Sequence, residues 1–68
     1  PVGDWLRTDL KNELSDYIDI DFLNEQNLFR VNYIVPLVKN HIDAKVDNTF
    51  QVWSFYCFQK WYTKVYNI

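Results

Sequence analysis

The sequence predicts an all-α fold, a small bundle of three to four helices with the C-terminal helix central and most buried. Three observations carry that expectation. Apolar residues recur at helical spacing near the start and in the middle of the chain, turn residues separate these stretches, and Thr49 to Tyr66 runs without proline or glycine. With 68 residues the chain is one small domain or one element of a larger protein. Burial and ordering entropy nearly cancel at this size. Three Trp, five Tyr and five Phe add large buried areas, so a compact, marginally stable helical unit is expected. Some of that aromatic surface is expected to face the remainder of a parent protein.

The first helix is predicted from about Asp4 to Ile18. Leu6, Leu10, Leu14 and Tyr17/Ile18 share one face, with Trp5 beside them. Asp4 is suited to cap the first turn, where its charge meets the positive end of the helix dipole. Arg7, Thr8, Lys11, Asn12 and Ser15 form the solvated side. From Tyr17 to Leu23 two periods compete. Ile18, Ile20 and Phe22 alternate with Asp19 and Asp21 as in a strand, yet either aspartate could cap a short helix ending near Glu25. The short helix is preferred, followed by a turn at Gln26-Asn27.

Leu28-Phe29 opens a new apolar group. From Asn32 to about Ala44, Tyr33/Ile34, Leu37/Val38, Ile42 and Val46 fit a helical stripe. Pro36 either costs one hydrogen bond near the end of the first turn or marks the start of the regular helix. Asp47-Asn48 breaks the pattern again, and Asn48 with Gln51 has capping-box spacing. Beyond it, Phe50, Trp53, Cys57 and Trp61 form one stripe. Val52, Phe55, Tyr56, Phe58, Tyr62 and Val65 widen it nearly all round, which predicts a buried pillar about 27 Å long.

Composition excludes several classes. Nine acidic against seven basic side chains leave no basic excess, which argues against nucleic acid as a partner. No apolar run approaches the roughly 18 residues of a membrane span, and no secretory pattern opens the chain, so no membrane partner is expected. The single Gly3 cannot write a glycine-rich phosphate loop, and the lone Cys57 cannot form an internal disulfide or a cysteine-rich zinc cluster. The chain has no methionine and opens on Pro1, so a processed product or a piece cut from something longer is expected.

Candidate chemical residues are few. His41 lacks a second histidine or a cysteine at ligand spacing, so a structural or surface role is expected. Cys57, between Tyr56 and Phe58, is read as a small core hydrophobe. Asp16, Asp19 and Asp21 lack the glycine and terminal glutamate of a calcium loop and read as a solvated turn. Asp9 and Glu13 share a helical face without a pocket to make them an acid–base pair. The aromatics of the last helix have only Lys60 and Lys64 beside them, so core packing is preferred to base stacking.

Taken in order, these residues resemble a known family. Pro1, Trp5-Leu6-Arg7 and Leu10 match the "P-x-x-x-W-L-R-x-x-L" segment of glutamine-hydrolysing asparagine synthetases. Leu28-Phe29, Ile34, Leu37, Val38 and His41 are similar to that family's "L-F…V/I-x-x-L-L-x-x-H". Val52-Trp53 through Gln59 and Trp61 resemble its closing "L-W-x-L-L-x-L-E-x-W" helix. The resemblance covers essentially all of the chain and favours helix throughout.

It implies the extreme C-terminal, all-helical part of the synthetase domain. The cytoplasmic parent would convert aspartate, glutamine and ATP to asparagine, glutamate, AMP and pyrophosphate, using ATP and Mg2+. The family's "S-G-G-x-D-S" nucleotide loop and "K-x-G-F" stretch are not in this sequence, so no catalytic, cofactor-binding or metal residue carries over. Trp5, Leu6, Leu10, Leu37, His41, Trp53, Cys57 and Trp61 become candidates for the core and for the seat on the rest of the synthetase domain. Arg30, Pro36 and Gln59 depart from the family's pattern, which suggests a divergent member whose acceptor is a sugar or peptide acid. The alternative is an independent helical interaction module. Exposed aromatics would let an isolated segment self-associate.

Overall fold

The computed structural model describes residues 1–66. Among them every regular element is helical: α1 Val2–Arg7, α2 Lys11–Tyr17, α3 Ile20–Gln26, α4 Val31–Ile42 and α5 Thr49–Val65. Five helices replace the expected three to four because the predicted first helix is two. Thr8 leaves the helical region at φ −124° and ψ −87°, and its hydroxyl donates to the Asp4 carbonyl over 2.8 Å. A short hydroxyl side chain that bonds its own backbone competes with helix continuation. The break redirects the chain so that Leu6 of α1 and Leu14 of α2 both become fully buried. Asp4 is not the cap either. The helix starts at Val2, and Asp4 lies inside the first turn, 3.6 Å from Arg7 in an exposed ion pair.

The ambiguous segment is helix α3. The Asp19 carboxylate accepts from the Phe22 amide over 3.0 Å, which fixes the start. Asn27, in the left-handed region at φ 55°, ends it. Leu23 and Gln26 turn inward, one helical turn apart, whereas Ile20 of the strand-like alternation is exposed.

In α4 the buried residues Ile34, Val38 and His41 keep the i, i+4, i+7 spacing of one face. Pro36 lies within this helix, so the Asn32 carbonyl loses its amide partner. Both residues are exposed, and water can take that bond. Neither Arg30 nor Asn32 caps α4 with its side chain.

Helix α5 is central: α1, α2 and α4 all pack on it. Its inner stripe is Val52, Phe55, Tyr56 and Gln59. The predicted stripe through Phe50, Cys57 and Trp61 instead faces outward, a rotation of roughly one residue around the helix. An apolar residue on nearly every side left the phase open to tertiary contacts. The expected Asn48 capping box is absent. Asp47 accepts from both the backbone amide (3.0 Å) and the hydroxyl of Thr49, while the Asn48 side chain donates to the Leu37 carbonyl over 3.1 Å.

Candidate functional site

Polar clusters tie the helices together, two of them built around titratable side chains, and an apolar groove opens between α4 and α5. The first cluster gathers where α1 meets the α4–α5 connection. His41 is fully buried. The Asn48 amide donates to its Nδ1 over 3.1 Å, so the proton sits on Nε2, which donates to the Gly3 carbonyl over 3.2 Å. Arg7 Nε donates to the His41 carbonyl over 2.7 Å. Gly3 is required by proximity, because a Cβ there would lie 2.6 Å from Thr49 Oγ1. The hydrogen bond from the Thr49 hydroxyl, and then that from its amide, hold the Asp47 carboxyl below its ordinary range. With both ring nitrogens engaged in backbone bonds, His41 ties three segments together and has no face free for substrate.

The second cluster centres on Glu13. Its carboxylate accepts from Tyr17 over 2.7 Å, Tyr56 over 2.9 Å and Lys60 over 3.0 Å. Burial pulls the carboxyl upward, but these three hydrogen bonds and the Lys60 charge outweigh it and hold Glu13 below its ordinary value of 4.5. Burial, then the bond to Glu13, push the phenols of Tyr17 and Tyr56 above their ordinary 10.0. The bond to Glu13 likewise raises the Lys60 ammonium above its usual range. Every group here stabilises the resting charge state of its neighbour, which makes a latch between α2 and α5. A proton shuttle would need values drawn toward neutrality.

The groove lies between α4 and α5 and encloses about 630 Å³. Leu28, Phe29, Tyr33, Leu37, Phe55 and Phe58 form most of its surface, and Arg30 sits at its rim. Phe29 packs edge-on against Phe55 and Phe58 with centroids 5.0 and 5.7 Å away, which props one end open. Leu28 is 56% exposed and Tyr33 62% exposed. Exposed apolar residues grouped in a concavity mark an interaction surface more than scattered ones do.

The predicted candidates divide. Leu6 and His41 are fully buried, and Leu10, Leu37 and Trp53 pack against the core from partly buried positions, with Trp53 stacked on Tyr56 at 5.5 Å. Trp5 is 50% exposed and Trp61 55% exposed. Cys57, read as core, is exposed because its side of α5 faces away from α1, α2 and α4. Glu13, Gln26 and Lys60 belong to key contacts that local pattern could not signal, since their partners on the other helix lie 33 to 47 residues away.

Among the described residues no three His, Cys, Asp or Glu side chains converge as a metal would need, and Gly3 lies within α1 rather than in a loop. No described helix is long and apolar enough to cross a membrane. No protein-family model, curated protein or solved structure matches this chain.

Proposed function

We propose that this chain is the non-catalytic, C-terminal helical element of an ATP-dependent, glutamine-hydrolysing asparagine synthetase or a close amidotransferase relative. Its work is mechanical. It seats on the nucleotide-binding part of the synthetase domain, holds the upstream lysine-bearing segment and shapes one wall of the active site. The parent is cytoplasmic and supplies the ATP and Mg2+ chemistry.

The supporting observation is the way the resembling residues are used. Leu6, Val38, His41 and Val52 share the buried core, while Leu28, Phe29, Leu37 and Phe58 line an open groove. One set builds the element and the other offers apolar surface to something larger. The departures at Arg30, Pro36 and Gln59 favour a sugar or peptide acid as acceptor.

Expression of the chain in frame with its upstream coding sequence tests the reading. The product should release AMP and pyrophosphate in a glutamine-dependent amidation, and the 68-residue chain alone should bind no ATP. An upstream frame without a nucleotide loop, or saturable ATP binding by the short chain, would sink it. Ordinary aspartate amidation would remove the divergent-acceptor part alone.

A second reading, an autonomous interaction module, is favoured by one fact. Among the described residues every buried side-chain polar atom has a hydrogen-bond partner, so the core is complete in itself. Gel filtration with a hydrophobic dye separates the two. An orphaned cap binds dye and self-associates, whereas an autonomous module stays monomeric and dye-poor.

A further inference from the structure

We propose that the α4–α5 groove receives a single amphipathic helix whose apolar side chains fill it and whose carboxylate lies against Arg30. The proposal rests on reading the chain as an element seated against a larger body, and it names the chemistry of what seats there.

Shape selects a helix. On α4 the lining steps through Arg30, Tyr33/Ile34 and Leu37, and on α5 through Gln51, Ser54/Phe55 and Phe58. The Asn48–Leu37 bond closes one end and the Phe29–Phe58 contact defines the other, so the two helices run antiparallel along the groove. Seven residues of helix give it a length of about 10 Å, or two turns. From Tyr33 to Leu37 and from Gln51 to Phe58 the walls are helical, with their backbone groups directed along the helix axes rather than into the groove. An extended peptide would bury its own amides there without partners, whereas a helix satisfies them internally.

Charge selects a carboxylate. Arg30 is the one charged residue among those lining the groove. It makes no ion pair among the described residues. It also sits at the N-terminus of α4, a twelve-residue helix with no acid in its first turn, so the dipole adds to its charge. A carboxylate meets both, and guanidinium binds it with matched geometry. The opposite end, at Leu37 and Gln51, is uncharged. A second copy of this chain fits poorly as the occupant. The two helices long enough to lie in the groove, α4 and α5, carry no Asp or Glu.

The test uses the 15N-labelled 68-residue chain and a blocked 14-residue helical peptide. The peptide carries Leu at i, i+3, i+4 and i+7 and one Glu at its N-terminal end. Chemical-shift changes should gather at Leu28, Tyr33, Leu37, Ser54 and Phe58. Replacing the peptide Glu by Lys should weaken binding roughly tenfold, as loss of attraction and gain of repulsion combine. Arg30→Gln should abolish the preference and Arg30→Glu should invert it. Equal affinity for the two peptides, shifts away from the groove, no binding by either peptide, or concentration-dependent shifts at these same groove residues in the peptide-free chain, the mark of a second copy seated there, would each overturn the proposal. An upstream sequence lacking the nucleotide loop would sink the ligase reading and leave this charge preference untouched. Loss of the preference would leave the ligase reading standing.

Discussion

The side-chain amides of Gln26 and Gln59 face each other in the core and exchange two hydrogen bonds, at 2.5 and 2.9 Å. Gln59 Nε2 also donates to the Tyr17 carbonyl over 3.2 Å, so one fully buried side chain ties α5 to the ends of α2 and α3. Replacing Gln59 by Leu leaves the Gln26 amide and the Tyr17 carbonyl without partners. A loss of about 1–3 kcal/mol is expected in urea unfolding. Gln26→Leu with Gln59→Leu should recover the share due to the Gln26 amide, because both amides leave together, while the Tyr17 carbonyl stays without its partner. Gln59→Glu, the residue type usual in the resembling family, sets a carboxylate against the Tyr17 carbonyl. That variant should be destabilised at neutral pH and should recover in acid as the carboxyl takes up a proton.

Gly3 and Thr49 define how closely α1 approaches the start of α5. Alanine in a helix normally gains about 0.5–1 kcal/mol over glycine. Here the added Cβ meets Thr49 Oγ1 at 2.6 Å, and that hydroxyl is anchored on Asp47, so Gly3→Ala should lower the melting temperature. In a Thr49→Ala background the obstacle is gone, and the same Gly3→Ala change should raise it. Thermal unfolding followed by circular dichroism reads both signs.

His41→Ala should be among the most damaging substitutions. It strands the Gly3 carbonyl and the Asn48 amide and leaves a cavity in a fully buried site. Each stranded group costs about 1–3 kcal/mol, a large share of the stability of so small a domain. Loss of helical circular dichroism at 25 °C is the expected readout.

The Glu13 latch gives stability a defined pH dependence. Because the folded carboxyl is held below its ordinary 4.5, its contribution is full above that value and is lost as pH falls through the folded value. The phenols of Tyr17 and Tyr56 are raised in the fold, so theirs is full below about 10 and is lost as pH climbs beyond. Glu13→Gln should therefore flatten the acid limb of the unfolding midpoint between pH 5 and 3 relative to wild type, by the usual reach of such a linkage. Unchanged acid limbs in the two proteins would refute the latch.

The groove separates stability from surface chemistry. Tyr33→Lys alters an exposed side chain and should change the unfolding free energy by no more than about 0.5 kcal/mol. Binding of a hydrophobic dye should fall at the same time, because a charge enters the apolar lining.

Helix content was written locally. The spacing of Ile34, Val38 and His41, the aspartate ahead of α3 and the long run after Asn48 each act within one or two turns, so the sequence alone determined that the chain is a helical bundle and roughly where most helices lie. Helix phase and the site were not local. Thr8 breaks the first helix with its hydroxyl on the Asp4 carbonyl, yet the apolar spacing of Leu6, Leu10 and Leu14 runs through the break as if one helix continued. Helix α5, apolar nearly all round, could present any face until Gln26 claimed Gln59 and Glu13 claimed Tyr56 and Lys60. Those pairings cross more than thirty residues of chain, and hydrophobic periodicity carries no record of them. That is why Cys57 and Trp61 face outward while Gln59 is buried, and why the groove between α4 and α5 emerges only once the helices are packed.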